Sequence, residues 1–180
     1  PEPVHIVVRA DDPIRTVADL RGKRIDLGLP SSGSVLTARS VMDAHGLGLA
    51  DFAQVTDMGP ARAVEALTAG NIDAVVSVIN APARLFQRLS AQSDIRFLPL
   101  DPQAIRTLNS SSSQLVPLTL PAGIYPRQTE PVPTVAVTAL LVARRSMPDV
   151  EVTTMLDTVF KDIDFVAAGS ARSEEHTSEL

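Results

Sequence analysis

The chain contains no cysteine, no tryptophan and a single tyrosine. Without cysteine there are no disulfides, no thiolate metal sites and no cysteine nucleophile, and the absence favours neither the cytoplasm nor a periplasm. Aromatic residues make up 3% of the chain, too few rings for the stacking platforms that hold single-stranded nucleic acid. The formal net charge is -5 with no basic face in the sequence, which argues against a phosphate-backbone partner, so no nucleic acid is expected. No apolar run approaches the roughly twenty residues that cross a bilayer, and the N-terminal Pro1-Glu-Pro-Val-His5 has no signal-peptide pattern.

What is present is ordinary globular material. At 180 residues, 44% hydrophobic and 21% charged, the chain can build one domain, or one domain plus part of another. Its ends read differently from its middle. Val4 to Arg9 starts mid-strand with nothing upstream to begin a domain, so a missing N-terminal part is expected. Arg172-Ser-Glu-Glu-His-Thr-Ser-Glu-Leu180 breaks from the helical pattern before it and resembles the translation of a sequencing-library adapter. Residues 172–180 are therefore kept out of fold reasoning. Without them the sixteen basic and twenty-one acidic residues become fifteen and eighteen, a net charge of -3.

The core of the chain alternates strands and short helices. Val4–Arg9 reads as a buried strand. Thr16, Asp19 and Gly22 start and stop a short helical turn. A strand at 24–29 precedes a helix from Ser34 to His45, with Val35, Ala38, Val41 and Met42 inward and Gly46 as its stop. A weaker strand at 52–57 leads to a helix at 60–69, with Val64 and Leu67 inward. The apolar run 73–79 reads as a strand covered on both faces. Pro82 opens a helix with Leu85, Phe86 and Leu89 on its stripe; a strand at 95–100 and a helix capped by Asp101 follow. Such alternation predicts βαβ units and a mainly parallel sheet. It ends at the polar break Asn109–Ser113, after which come a strand at 116–120, a Gly/Pro loop, a strand-like run at 133–142 and a helix at 149–168 carrying Val152, Met155, Leu156, Val159, Phe160 and Ile163. The expected division is an α/β ligand-binding lobe over 10–115, with residues 1–9 and 116–171 supplying crossover strands and part of another lobe.

The turn Gly28-Leu-Pro-Ser-Ser-Gly-Ser34 is the segment with most chemistry. It joins a strand to a helix, where unpaired N–H groups and the positive helix dipole can seat an anion. Capping by Ser31, Ser32 or Ser34 is the simpler reading. Three hydroxyls with Gly33 exceed what one cap needs, and that excess favours a ligand. Asn80 is ambiguous in the same way, following a strand and opening a helix. Both turns lie at the carboxyl ends of strands, where open α/β sheets bind ligands. Arg62 and Arg84 could balance an anion or simply be solvated. Tyr125, in the Gly/Pro loop, could touch a ligand at the rim or pack at a lobe junction.

Catalysis has no candidate set. Gly28 and Gly33 have phosphate-loop spacing, but Ser34-Val35 stand where Lys and Ser/Thr are required. There is no G-x-G-x-x-G and no G-x-S-x-G. His5 lies in a strand and His45 at a helix end, and no His/Asp/Glu grouping has metal-ligand spacing. Neither an enzymatic activity nor a cofactor is expected.

Several segments taken in order resemble a known family. Thr16-Val-Ala-Asp-Leu-Arg-Gly-Lys-Arg-Ile25, Gly28-Leu-Pro-Ser-Ser-Gly-Ser34, Ala69-Gly-Asn-Ile-Asp-Ala74, Pro121-Ala-Gly-Ile-Tyr-Pro126 and Val132-Pro-Thr-Val-Ala-Val-Thr-Ala-Leu-Leu-Val142 are similar to the TAXI-type solute-binding proteins of TRAP transporters, over most of residues 4–165. The resemblance implies a periplasmic-binding-protein-like (type II) α/β lobe with an incomplete second lobe, part of a two-lobed, Venus-flytrap receptor outside the inner membrane. Such a receptor would capture a small carboxylate, an organic acid or amino acid, and pass it to membrane permease subunits driven by an ion gradient. Ser32, Gly33 and Ser34 match the family's Ser-Gly-Thr turn, with the hydroxyl kept at Ser34, whereas Asn80 stands where many members have Gly. A ligand-sensing domain of a signalling protein or transcription regulator would use the same lobe.

Overall fold

The computed structural model describes residues 1–138 and 142–161. The chain divides into two units between residues 139 and 140. The first contains strands β1 (Glu2–Arg9), β2 (Arg24–Asp26), β3 (Gln54–Thr56), β4 (Ala74–Val78), β5 (Ile95–Phe97), β6 (Leu115–Leu120) and β7 (Val132–Val137), with helices α1 (Gly33–Ala44), α2 (Pro60–Thr68), α3 (Arg84–Gln92) and α4 (Pro102–Ser111). In the second, α5 covers Asp149–Lys161, with Asp149 and Glu151 in its first turn and Lys161 in its last, the charge placement that suits a helix dipole. Ile163, residues 139–141 of the strand-like run, and residues 172–180 lie outside the described residues.

One sheet holds the seven strands, in the order β3-β2-β4-β1-β7-β6 with β5 paired to β1. Its residues feed two apolar clusters, one on each face. Val4, Ile6 and Val8 of β1 and Ala74 and Val76 of β4 pack with Val35, Ala38, Val41 and Met42 of α1 and Leu108 of α4. Val7 and Val75 point the other way, toward Ala63 and Leu67 of α2 and Phe86 and Leu89 of α3. The period-two alternation of strand side chains divides each strand between the two layers.

The chain runs β2–α1–β3 outward and then β3–α2–β4 back, so that β3 and β4 flank β2, both parallel to it. Right-handed crossovers taken in opposite directions put α1 and α2 on opposite faces. The strand order reverses at β2, and the carboxyl ends of β2 and β4 meet there.

The α/β expectation holds, but the sheet is mixed rather than mainly parallel. β1 is antiparallel to β4 along one edge and to β5 and β7 in succession along the other, and β6 is antiparallel to β7. The apolar run in β1 reflects helices on both faces, which makes any strand continuous in hydrophobicity whatever its direction. The strand–helix alternation that predicts βαβ units holds for β2–α1–β3–α2–β4, whereas β1, β5, β6 and β7 pair antiparallel.

Local punctuation follows the sequence closely. Gly22, Gly46 and Gly70 take left-handed conformations after their helical turns. Asp101 caps α4, its Oδ1 accepting the Gln103 and Ala104 N–H groups. His45, at the end of α1, donates from Nδ1 to the Val41 carbonyl at 2.7 Å and accepts the Asp101 N–H on Nε2 at 3.1 Å. It therefore ties α1 to α4, and both ring nitrogens are committed.

Candidate functional site

β2 ends on Asp26, and the chain turns through Gly28 at φ 86°, a left-handed conformation that glycine adopts without strain. The Ser32 N–H closes a turn onto the Leu29 carbonyl at 2.9 Å. Ser32 is then the N-cap of α1, its Oγ accepting the Ser34 N–H at 3.2 Å. Gly33 is the first helical residue, with open space where a Cβ would stand. Ser31 is exposed, and Ser34 half-buried. One hydroxyl of the three thus performs the capping, and those of Ser31 and Ser34 are left over.

The turn is held by a residue that the sequence reading passed over. Asp26 is 1% exposed. Its carboxylate accepts the Gly28 N–H at 3.0 Å, the Met58 N–H at 2.7 Å and the Thr56 hydroxyl at 2.9 Å. It therefore ties the turn before α1 to the turn before α2. Burial pushes its pKa up, against the three hydrogen bonds, which favour the ionised form. An acidic residue closing the strand Arg24-Ile-Asp26 was the available signal.

A cleft of about 90 Å³ opens at these ends, lined by Asp26, Gly28, Ser32 and Ser34 on the β2 side, Pro60 of α2, and the segment from Val75 to Ile79. The first turn of α2 has no side-chain cap. The start of α1, Pro60 at the start of α2 and the serines therefore border one space, and among the described residues neither Lys nor Arg lines it. Such a space suits a small anionic or strongly hydrogen-bonding group held by dipoles and hydroxyls. It falls well short of the ~300–1,000 Å³ of an ordinary ligand pocket, so it has room for no more than one end of a drug-sized molecule.

Ser77 is the second residue missed. It is 8% exposed on β4 and lines the cleft. Its only signal was being the one polar residue in Ala74-Val-Val-Ser-Val78.

The remaining candidates lie elsewhere. Ser31, Gly33 and Asn80 do not line the cleft; Asn80 is half-buried just past β4, before the cis Ala81–Pro82 bond and α3. Arg62 and Arg84 are exposed in the first turns of α2 and α3. Tyr125 is a correction to rim contact: it is 1% exposed. Its ring stacks on Phe97 at 4.7 Å, with Phe86 and His5 edge-on. Its hydroxyl pairs with His5 Nε2 at 2.8 Å and accepts the Ala83 N–H at 3.1 Å. The phenol buries its ring and keeps its one polar atom bonded, as interior tyrosines do. His5 Nδ1 donates to the Pro3 carbonyl at 3.1 Å, which makes Nε2 the acceptor of the tyrosine O–H. Desolvation lowers the His5 pKa to about 4. Among the described residues no group of three or more His, Cys, Asp or Glu side chains could hold a metal ion.

The alkanesulfonate-binding protein SsuA from Xanthomonas axonopodis pv. citri, bound to MOPS, is similar over 100% of this chain and 53% of its own, at TM-score 0.51 and 22% identity. The periplasmic aliphatic sulphonate binding protein SsuA from Escherichia coli shares 30% identity over 54% of this chain and 30% of its own, with TM-score 0.46. The substrate binding protein of an amino acid ABC transporter aligns over 96% of this chain and 57% of its own, at 17% identity and TM-score 0.44. The chain thus spans between about a third and just over half of these proteins. The likeness to the Xanthomonas protein shows the fold, an α/β lobe of the periplasmic-binding-protein type. A family match extends over residues 1–179. The chain belongs to the NMT1-like family.

Proposed function

We propose that this chain is the ligand-binding part of an extracytoplasmic solute receptor that captures a small carboxylate, an organic acid or amino acid, and delivers it to membrane permease subunits. One observation carries the reading: the Ser32 cap of α1, the uncapped start of α2 and the hydroxyls of Ser34 and Ser77 converge on a cleft at the carboxyl ends of β2 and β4. That is where open α/β sheets take ligands. The cleft holds one end of a ligand, and a second lobe closing over it would supply the other wall and signal occupancy to the permease. Residues 10–115 form the lobe proper in this reading. No residue is assigned a catalytic role, since both described histidines are committed to internal hydrogen bonds.

The ordered TAXI-like segments favour a TRAP-type permease, driven by an ion gradient, over an ATP-driven one. The test is uptake by membrane vesicles carrying the cognate permease, supplied with the full-length receptor and a panel of dicarboxylates and acidic amino acids. Accumulation of one of them that needs an imposed ion gradient and proceeds without ATP is the expected result. Accumulation that needs ATP and ignores the gradient would replace the TRAP assignment with an ABC-type one. A kinase or helix-turn-helix domain in the full coding sequence would overturn the receptor reading in favour of a sensor.

A further inference from the structure

Ser77 is the one polar side chain of β4, more than nine-tenths buried, and it makes no side-chain hydrogen bond among the described residues. Its hydroxyl is not sealed in the interior, since it is not among the unpartnered polar atoms shut off from solvent, and the surface it shows is where Ser77 lines the cleft. The neighbour best placed to satisfy that hydroxyl is His5, the partner of Ser77 in the β1–β4 register, since directly opposed side chains lie within contact distance. Both nitrogens of His5 are already taken, by the Pro3 carbonyl and the Tyr125 hydroxyl. Asp26, also on the cleft, has its carboxylate engaged by three donors from the protein. What remains for Ser77 is the cleft it lines.

Resting on the receptor reading above, we infer that Ser77 Oγ is a ligand contact and a specificity-determining residue, a neutral second recognition point distinct from the anion seat at Ser32 and Ser34. A hydroxyl can donate and accept, so it rewards a ligand carrying a hydroxyl, oxo or amino group besides its carboxylate. Among the described residues no Lys or Arg lines the cleft to pair with a second acidic group on this wall. The ligand class is therefore a hydroxy, oxo or amino carboxylate in preference to the plain aliphatic acid of the same length. A site built to bond a polar substituent discriminates strongly against the analogue lacking it, because its own polar group is then left unpaired.

The test uses the full-length protein and matched series: propionate with lactate, pyruvate and alanine; succinate with malate, oxaloacetate and aspartate. The wild type is expected to bind at least one substituted acid more tightly than its plain counterpart. Ser77→Ala should weaken that acid by about 3- to 10-fold and leave the plain acid within about twofold. Ser77→Thr, which keeps the hydroxyl, should retain the preference. Ser77→Ala should also melt no lower than the wild type, since the hydroxyl makes no bond within the described residues to lose, whereas a structural hydroxyl would lower the melting temperature. Equal weakening of plain and substituted acids, or none of either, overturns the role of Ser77 while leaving the receptor reading intact. Failure of the wild type to bind any member of the panel, or any other small carboxylate, overturns the receptor reading itself and this inference with it.

Discussion

His5, Asp26 and Ser77, like Thr134 of β7, are polar side chains buried in apolar strands, and Asp26 and Ser77 line the cleft. None was legible as such, because a strand pattern reports which face is covered and is silent about what a lone polar residue bonds to. Asp26 and Tyr125 each bond backbone groups from segments distant in sequence, and such partners are fixed by tertiary folding alone. His5 gives the sharpest residue-scale prediction. Its pKa is about 4 in the fold and about 6.5 in an unfolded chain. Between those values the unfolded chain binds the proton and the folded one does not, so stability falls as the pH drops from about 6.5 to 4. At ~1.4 kcal/mol per unit the loss approaches roughly 3 kcal/mol. Asp26 opposes this, since a carboxyl whose pKa is raised by burial is relieved by acid. Asp19 and Asp73, both lowered by hydrogen bonds, lose their contribution only at lower pH. Thermal unfolding across pH 7 to 4 should therefore show a steeper decline for the wild type than for His5→Gln; equal slopes would contradict the assignment.

Elements were the most readable level. Helix stripes and stops are local chemistry: Val35, Ala38, Val41 and Met42 are buried on α1 as their spacing requires, and Gly22, Gly46 and Gly70 supply left-handed exits. In α2 the inward residues are Ala63 and Leu67, with Val64 half-buried at the margin of the stripe. Strand direction was not readable, since β1 and β4 carry the same kind of apolar run while pairing antiparallel. Capping gives the element-scale prediction. Asp101 satisfies two N–H groups at the start of α4, and its own N–H meets His45. Asp101→Ala should cost about 1 kcal/mol, whereas Asp101→Asn, an equally good cap, should stay within a few tenths. Denaturant unfolding reads both. Equal losses would mean that charge at this position, rather than the cap, holds the helix.

At the scale of the whole molecule, the serine turn was visible as a strand-to-helix junction with spare hydroxyls, and Ser32 and Ser34 line the cleft. The other half of the wall, from Val75 to Ile79, was hidden because β4 reaches β2 only after an intervening strand and two helices. On the proposed reading, a cleft of about 90 Å³ takes only one end of a ligand, so affinity should depend on closure of a second wall and be weak for residues 10–115 by themselves. The central claim is that the turn before α1 seats the carboxylate. Calorimetric titration of the full-length receptor with its tightest-binding carboxylate, compared with the Ser32→Ala, Ser34→Ala double variant, tests it most directly. Loss of two hydrogen bonds to a charged group predicts affinity at least about tenfold weaker, with the variant still folded at the assay temperature. An unchanged dissociation constant in that folded variant would contradict the account.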